Sequence, residues 1–343
     1  MFKTYDTIII GAGIAGASTA HALTQKGQKV LVLDKRGVAS GGSGAAGAFV
    51  SPKIGKGSPL QTLTNISFSF AKDFYLSICP SLFHQTGVIR IPKDEADAKK
   101  FTEYETFNEN SYELYTKEQL HTQGIFSDFD SFYFPEAGDC NAKEVCEVLL
   151  STLEVVRYEV KQITQEKGLW CVGDYSGKNL VLATGYESDL ADLRYMGIKG
   201  TWGTRGDFTS KLSLHVSMHQ SMSVGANVDG IIKLGATHEK EVKELVPCQK
   251  EQALLLKEKA SSLIDTSDLE LKEVFCGMRA GSKDYFPLVG KVIDVSFMLK
   301  TYPTVTRGGK PEMKYVDNLF ICNGLGGRGF VFAPLMAKML AEC

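Results

Sequence analysis

Three glycines and one acid near the start of the sequence have the spacing of a dinucleotide-binding motif. Gly11, Gly13 and Gly16 follow one apolar run, and Asp34 ends a second. In such a motif the first glycine permits a tight turn, the second lets a pyrophosphate approach the backbone, and the third lets a helix pack on the strands. The helix N-terminus offers N–H groups to phosphates, and the acid can accept ribose hydroxyls. The pattern predicts a dinucleotide site that suits NAD and FAD equally.

The elements that must position these residues occur in the required order. Residues 8–10 are β-branched and apolar, residues 15–25 are rich in helix formers, and residues 30–33 form a second apolar run. Glycine-rich turns are common, and a turn that serves packing alone is the alternative. The complete strand–helix–strand–acid order favours the dinucleotide site.

Length, composition and charge describe an ordinary globular protein. The chain has 343 residues, of which 43% are hydrophobic and 23% charged, so two domains or one elaborated α/β domain is expected. The formal net charge of −2 gives no global electrostatic footprint for nucleic acid, so any such contact requires a local basic patch.

Cysteines and histidines indicate no metal or nucleophilic site. The eight cysteines lie singly, without CxxC pairs or zinc-ligand spacing, and the six histidines form no obvious dyad. We expect reduced thiols and no bound metal. There is no signal segment and no apolar run of the roughly 18–20 residues that a membrane span needs. A cytoplasmic protein without membrane contact is therefore expected.

Residues 35–52 are a run of glycine, alanine and serine that is too poor in large side chains to fold as a helix alone. A flexible loop is one interpretation. The other is a backbone that lies close against a flat ligand, which would explain the small side chains.

The rest of the chain alternates helical and strand patterns. Helical patterns and strand patterns fall in these segments: helices at 63–79, 93–118, 141–153 and 248–263, and strands at 86–92, 154–163, 169–172, 179–185, 202–207, 213–218, 222–228, 231–235 and 319–323. The short strands of 202–235 are typical of an antiparallel sheet. Residues 297–314 form an irregular insertion. At the end of the chain, glycines at 324–329 precede a second helix, whose N-terminus can face an electron-rich group.

Five separated blocks resemble the FAD-dependent D-amino-acid oxidase / glycine oxidase superfamily. They are GAGIAGASTAHAL with Asp34, SGGSGAAGAF, NLVLATG, GMRAGSKDYFPLVG and GLGGRGFVFAPLMAKML. The second block with the helix after it, and the last block, also resemble the flavin domain of the MnmC family of tRNA-modifying enzymes. The family's Asn-Arg in the loop is replaced here by Gly44 and its neighbours.

The resemblance implies FAD as the dinucleotide, bound non-covalently. It assigns cofactor contacts to these positions: Gly11, Gly13, Ala15, Gly16, Asp34, Lys35, Ser43, Gly44, Gly47, Ala48, Val160, Ala183, Thr184, Gly185, Gly326, Gly327, Arg328, Gly329 and Phe330. Arg328 would lie by the pyrimidine edge of the flavin, where a cation stabilises the reduced ring. A surface charge is the alternative interpretation of Arg328.

The resemblance also implies that Arg279 holds a substrate carboxylate, because a guanidinium matches a carboxylate bidentately and stays charged. An ion pair with Asp284, which is expected to anchor the turn before Pro287, is the alternative. Some relatives attach flavin through a cysteine near Cys276. That position falls here on Gly277, so non-covalent FAD is expected. Lys53 and Lys283 are interpreted as solvated surface.

The resemblance implies an α/β fold: a Rossmann-like FAD-binding domain with an inserted, mainly antiparallel β (α+β) substrate domain. The expected division assigns 1–82, 136–198 and 275–343 to the FAD-binding domain and 83–135 and 199–274 to the substrate domain.

The implied reaction is oxidation of a carbon–nitrogen bond of a glycine-like secondary amine. The leading substrate is carboxymethylaminomethyl-uridine at the tRNA wobble position, with methylation left to a separate methyltransferase. A basic patch formed by Lys300, Arg307, Lys310 and Lys314, backed by Arg194, Lys199, Arg205 and Lys211, is one hypothesis for tRNA contact. Oxidation of glycine, sarcosine or a D-amino acid is the second hypothesis, and a flavin-binding subunit without turnover is the third. No oligomeric state follows from the sequence.

Overall fold

The computed structural model describes residues 3–187, 189–240, 242 and 247–343. The helices among them are as follows: α1 Ile14–Gln25, α2 Pro59–Ile78, α3 Glu95–Glu105, α4 Lys117–Thr122, α5 Ala142–Leu150, α6 Lys250–Ala260, α7 Val295–Thr301 and α8 Gly329–Ala341. Short 3-10 helices occupy Pro80–Leu82, Arg194–Met196, Pro303–Arg307 and Gly326–Arg328.

The strands of the same residues, in chain order, are β1 Lys3–Ile10, β2 Val30–Asp34, β3 Phe49–Val50, β4 Phe83–His84, β5 Val88–Arg90, β6 Glu113–Tyr115, β7 Ser131–Phe134, β8 Gly138–Cys140, β9 Glu154–Arg157, β10 Thr164–Glu166, β11 Leu169–Val172, β12 Tyr175–Leu182, β13 Lys199–Thr209, β14 Ser217–His219, β15 Ser223–Val224, β16 Ile231–Gly235, β17 Glu239–Lys240, β18 Glu270–Gly281, β19 Leu288–Ile293 and β20 Tyr315–Asn323.

A parallel sheet carries the nucleotide-binding motif. Strands β9, β2, β1, β12 and β20 lie side by side in that order and all run parallel. Antiparallel β19 pairs with β20, and the β10–β11 hairpin pairs with the start of β12. The carboxyl ends of the parallel strands therefore meet at one edge, which is where ligands bind in open α/β sheets.

Both faces of this sheet are buried, which explains why its strands are apolar without alternation. Ile9 faces one side, where helices α1, α2, α5 and α8 supply the partners, including the buried Tyr75 and Phe332. Ile8 and Ile10 face the other side and pack with Trp170 and its neighbours. Helix α8 thus returns the end of the chain to the layer in which the first motif lies.

A second, nine-stranded sheet forms the expected mainly antiparallel part. Its order is β17-β13-β16-β15-β14-β5-β7-β6, with β18 paired to β13 along almost the whole length of both strands. Helix α6 covers one face through Ala253, Leu256 and Ala260, which are buried. The fold class is the one expected: a Rossmann-like layer joined to a mainly antiparallel sheet.

Strand β18 crosses the expected domain boundary at residue 275. It begins in the substrate sheet and continues to Gly281, where it forms a bridge with Leu325 beside the C-terminal glycine turn. The division into domains stays a prediction, and β18 is shared between its two parts.

The strands predicted at 154–163, 213–218 and 222–228 are shorter in the structure, and two other local predictions differ from it in kind. The segment 93–118 is not one helix: α3 ends at Glu105, and β6 and the start of α4 follow. The segment 297–314 is not wholly irregular, because α7 and a 3-10 helix occupy its first part. Charged helices with few apolar positions give weak periodicity, so their ends are hard to read from sequence.

The expectation of reduced thiols is wrong for one pair. Cys248, just before α6, and Cys276 on β18 form a disulfide with a Cα–Cα distance of 5.7 Å. The two cysteines are 28 residues apart in sequence, and only the packing of α6 against the sheet brings them together. The other six cysteines are free: Cys79, Cys140, Cys146, Cys171, Cys322 and Cys343.

Two further features are absent from the described residues. No helix there is both long and apolar enough to cross a membrane. In the same residues, no group of three or more His, Cys, Asp or Glu side chains is placed to hold a metal ion.

We expect Gly16→Ala to destabilise the protein. A Cβ at Gly16 would overlap the carbonyl of Gly11, which is backbone held in the turn between β1 and α1. Overpacking of this kind costs on the order of 1–3 kcal/mol, so the midpoint of chemical unfolding should fall, together with the amount of flavin retained on purification.

Gly41→Ala is the matched control for unfolding. A Cβ at Gly41 would meet only the end of the Arg36 side chain, at 4.0 Å. Its unfolding midpoint should equal that of the wild type. Equal midpoints for Gly16→Ala and the wild type would show that the helix does not need its close approach to the turn.

Candidate active site

A cavity of about 760 Å³ lies at the carboxyl edge of the parallel sheet, where the sheet meets β13, β16 and β18. This size is in the range of small-molecule and cofactor sites. The predicted residues that line it come from six separate segments: Gly11, Gly13, Ala15, Asp34, Ser43, Gly47, Ala48, Ala183, Thr184, Gly185, Arg279, Gly326, Gly327, Arg328, Gly329 and Phe330.

Four predicted cofactor residues lie outside the lining. Gly16 packs against the Gly11 carbonyl, and Gly44 packs against the Ala39 carbonyl. Lys35 forms an ion pair with Glu187. Val160 packs against the hydrophobic cluster under the parallel sheet. Their cofactor contacts stay predictions, and the two glycines have an evident role in close backbone packing.

The N-terminus of α1 opens into the cavity. Gly13 caps the helix with extended backbone, and Ser43 Oγ accepts a hydrogen bond from the Ile14 N–H at 2.9 Å. The following N–H groups of the first turn have no acceptor within the helix. A pyrophosphate at this point would meet those donors and the positive end of the helix dipole.

The Asp34 carboxylate organises the turn around it. Its Oδ1 accepts from the N–H groups of Arg36 and Gly37 at 2.8 and 2.9 Å, and its Oδ2 accepts from the Ala12 N–H at 2.9 Å. Since each carboxylate oxygen has two lone pairs, Oδ2 retains capacity for a ribose hydroxyl. Asp34 therefore suits both the turn and the predicted ribose contact.

The glycine-rich loop, residues 35–52, is held firmly between the two sheets. A Cβ at Gly42 would lie 2.5 Å from the Met278 carbonyl oxygen, and one at Gly277 would lie 3.0 Å from Ala45 and from Gly42. The Ala46 carbonyl accepts a hydrogen bond from Arg205. Small side chains are thus required by backbone packing, and the flexible-loop interpretation does not describe this segment.

One buried polar atom in the cavity lacks a hydrogen-bond partner within the described part of the chain. It is Thr184 Oγ1, which is shielded from solvent just after the end of β12. A buried hydroxyl without a partner is unfavourable, and a bound polar group would satisfy it. With the helix N-terminus and Asp34, this orphaned hydroxyl fits a dinucleotide.

Arg279 lies on β18 and lines the cavity, and it has no acidic partner among the described residues. Its Nη1 donates to the Thr237 carbonyl at 3.1 Å, and its guanidinium occupies the space over Gly203. The alternative ion pair with Asp284 is not formed, because that carboxylate accepts from Ser282 Oγ and the Phe286 N–H. Asp284 anchors the turn, as expected. Burial lowers the pKa of Arg279 below its usual value.

The sulfur of Cys276 is bonded to that of Cys248, so no thiol is free at this position for attachment of a flavin. At the adjacent position, Gly277 is pressed against the glycine-rich loop. Both observations agree with the prediction of non-covalent FAD.

Comparison with known proteins decides the family. The model of the family described as "DAO: FAD dependent oxidoreductase" matches residues 6–343. The chain belongs to this family. Its cofactor is FAD, which agrees with the donors and the orphaned hydroxyl of the cavity.

Named relatives and solved structures resemble the chain along nearly all of its length. Two proteins named "tRNA 5-methylaminomethyl-2-thiouridine biosynthesis bifunctional protein MnmC" match: that of Methylobacillus flagellatus is 25% identical over 97% of this chain and 55% of its own length, and that of Shewanella amazonensis is 26% identical over 99% and 56%. The chain thus spans about half the length of these relatives. Glycine oxidase from Bacillus cereus has a TM-score of 0.80 at 20% identity, covering 98% of this chain and 94% of that one.

Besides Arg279, the cavity of this DAO-family chain contains three further cations that form no ion pair with a described residue, and the sequence interpretation gave a cofactor role only to Arg328 among these three. Arg328 is half-buried, its Nη1 lies 3.4 Å from the Ser51 carbonyl oxygen, and burial lowers its pKa to about 10. Lys53 is also half-buried, and burial with the nearby charge of Arg328 lowers its pKa. The surface interpretations of Arg328 and Lys53 are therefore wrong.

Arg90 and His219 are cavity residues that the sequence interpretation missed. They lie opposite each other in the parallel pair of β5 and β14. Burial, and then the charge of Arg328, lowers the pKa of Arg90 to about 10. Burial, and then the charges of Arg90 and Arg328, holds the pKa of His219 well below its usual value. A single arginine or histidine at the end of a short strand carries no sequence signal that points to a cavity.

The predicted basic patch is not present as one surface. Arg205 is buried, pairs with Asp207 at 2.8 Å and contacts the Phe275 ring. Arg194 pairs with Asp192. The insertion joins the start of β20, and this nine-residue strand places the insertion roughly 25 Å from the cavity edge.

We expect His219→Gln to reduce the acid sensitivity of the protein. The folded protein excludes a proton that the unfolded chain takes up near pH 6.5, so the free energy of unfolding falls as pH decreases below that value. Exclusion of one proton lowers the free energy of unfolding by at most about 1.4 kcal/mol for each pH unit. The decline between pH 6.5 and 5.5, measured by urea unfolding of the FAD-loaded protein, should be shallower in the variant.

His215→Gln, on the exposed surface, serves as the control for loss of a histidine. An identical decline in His219→Gln and in the wild type would contradict the assignment of this acid sensitivity to His219.

Proposed function

We propose that this chain oxidises the carbon–nitrogen bond of a glycine-like secondary amine. The observation that carries the proposal is Arg279, a half-buried guanidinium in the cavity of an FAD-dependent oxidoreductase that pairs with no acid of the described ranges. A substrate carboxylate would supply the missing partner and fix the adjacent methylene within the cavity.

The proposed reaction needs no side chain that acts as a general acid or base. The substrate R–NH–CH2–COO⁻ loses a hydride from the methylene and a proton from nitrogen, which leaves the imine R–N=CH–COO⁻. Water then yields R–NH2 and glyoxylate. FAD, when bound, supplies the hydride acceptor. Binding of the carboxylate by Arg279 orients the methylene, and the enclosing strands limit access of water; both contribute through positioning.

Carboxymethylaminomethyl-uridine of tRNA is the leading substrate of this proposal. Its modified arm is an N-substituted glycine, so Arg279 would bind the same group as in a free amino acid. The alignment of nearly the whole chain with the MnmC proteins supports this choice. A partner methyltransferase and a cytoplasmic location remain predictions that accompany it.

A small amine acid such as glycine, sarcosine or a D-amino acid is the second candidate. Contact with tRNA would require a basic patch near the cavity. Arg205 is buried and the insertion lies far from the cavity, which favours a small substrate. The fold likeness to glycine oxidase covers 94% of that enzyme, although a likeness at this identity concerns the fold alone. A flavin-binding subunit without turnover is the third candidate, for which no structural feature speaks.

Arg279→Met should retain FAD and lose substrate. The predicted FAD contacts do not include Arg279, whereas loss of a bidentate charged contact should lower kcat/KM on the order of 100-fold. Flavin content per protein and steady-state kinetics with the active substrate measure the two effects. Lys283→Met, which removes an exposed charge, is the matched control and should behave as the wild type. Loss of flavin from Arg279→Met would indicate a structural role.

Anaerobic reduction of the flavin should distinguish the substrates. Mixing the FAD-loaded protein with tRNA from a strain blocked at the carboxymethyl stage should bleach the flavin, and unmodified tRNA should not. Glycine, sarcosine and D-alanine are tested in parallel. Efficient bleaching by a free amino acid, with none by the modified tRNA, would select the second candidate. If neither the modified tRNA nor any free amino acid bleaches the flavin, the result would support a flavin-binding subunit without turnover.

A further inference from the structure

The cations that line the cavity fall into two classes. Three of the lining cations are neutralised within the described structure: Arg36 pairs with Glu187, Arg205 with Asp207, and Lys233 with Asp139. Four form no ion pair with any described residue: Lys53, Arg90, Arg279 and Arg328. The two acids in the lining are Asp34 and Glu187, and both already have partners.

The four unpaired cations divide again by their surroundings. Arg328, Arg90 and Lys53 lie close enough to repel one another, because the charge of Arg328 lowers the pKa of both others. Burial alone lowers the pKa of Arg279, which lies on β18 beside Thr237. We name the three cations that repel one another the triple-cation cluster: Lys53, Arg90 and Arg328. Arg279 approaches the cavity from a different element, β18, with its side chain beside Gly327.

The scaffold holds the triple-cation cluster in place. Arg90 ends β5, beside His219 on β14, and the His219 ring packs edge-on against Phe49 at a centroid distance of 4.7 Å. Lys53 follows Phe49 by four residues, and its N–H donates to Asn65 Oδ1 at 2.9 Å. The side chains of Lys53 and Arg90 make no hydrogen bond to any described residue. The charge of Asp97 partly offsets the lowering of the Arg90 pKa, but the two side chains form no ion pair. Two half-buried cations without partners are unfavourable unless an anion joins them.

The flavin does not account for all of this charge. Its phosphates are expected at the N-terminus of α1, on the motif that contains Gly11 and Gly13. Reduction adds a single negative charge to the ring, and Arg328 by itself can neutralise it. The charges of Arg90 and Lys53 are then available to bind a different anion.

We propose that Arg90 and Lys53, the two members of the triple-cation cluster that the flavin does not neutralise, form a second oxyanion site, which binds a phosphate or carboxylate of the substrate other than the carboxylate at Arg279. This inference rests on the proposed function for the contact at Arg279. It restricts the substrate to amines with two acidic groups. In the tRNA case the second group is a nucleotide phosphate, and in the small-molecule case it is the second carboxylate of an aminodicarboxylate.

Inorganic phosphate is the first probe, because its binding needs no turnover. Titration of the FAD-loaded protein, followed by flavin absorbance and by calorimetry, should show one phosphate site. Arg90→Met and Lys53→Met should each raise its Kd about tenfold or more, since each removes a charge-assisted contact. Arg279→Met should change it less than about threefold, and the exposed Lys283→Met is the matched control.

Equal phosphate affinity in the wild type, Arg90→Met and Lys53→Met would overturn the proposal. An equal loss in Arg279→Met would also overturn it, because the four cations would then form a single site. The two variants stand on different segments, so misfolding of one leaves the other informative. A protein that oxidises no amine at all can still pass this test, which separates the second site from the proposed function.

Paired ligands identify the source of the oxyanion. Uridine 5′-monophosphate is compared with uridine, and iminodiacetate with sarcosine, by the same spectral titration. Tighter binding of the nucleotide that disappears in Arg90→Met supports a substrate phosphate. Tighter binding of iminodiacetate that disappears in Arg90→Met supports a second carboxylate. If neither advantage depends on Arg90 or Lys53, the proposed site does not select substrates and the inference fails.

Discussion

The contact between the glycine-rich loop and strand β18 is the constraint on which the site depends. Gly42 lies against the Met278 carbonyl, and Gly277 lies against Ala45, with no space for larger side chains. The Ser43 side chain accepts from the Ile14 N–H, so the same loop also fixes the start of α1. This short segment therefore contacts both the N-terminus of α1 and strand β18, and it fixes the position of one relative to the other.

Two buried ion pairs support this contact. Arg205 pairs with Asp207 and donates to the Ala46 carbonyl, while Lys233 pairs with the buried Asp139. Removing one partner of such a pair leaves a buried charge, which is strongly unfavourable. The pair of Lys233 on β16 with Asp139 on β8 joins two sheets, whereas the Arg205–Asp207 pair lies within β13 and orients the guanidinium that donates to the glycine-rich loop. The other cations of the cavity differ from these two because they form no ion pair with a described residue.

The sequence predicted the nucleotide layer well because its signals are local. The spacing of Gly11, Gly13 and Gly16 between two apolar runs reflects a backbone geometry that only a few sequences permit. The prediction that Arg279 binds a substrate carboxylate came only from the resemblance to a family. The alternative, an ion pair between Arg279 and Asp284, could be dismissed only from the structure. Arg90, His219 and the Cys248–Cys276 bond could not be predicted, because strand pairing between distant segments brings them into place, and no periodic pattern records such pairing.

The order of the strands has a consequence for the synthesis of the protein. The N-terminal strand β1 is flanked by β2 and β12, but β20 and helix α8 come from the last 29 residues, and Tyr75 on α2 donates to the Phe330 carbonyl on α8. Contacts between such distant segments close large loops and form slowly. A nascent chain that has already exposed its glycine motif must therefore wait for helix α8 before it can enclose a flavin. Capture of FAD is then a step that follows the synthesis of α8 and its packing against α1 and α2.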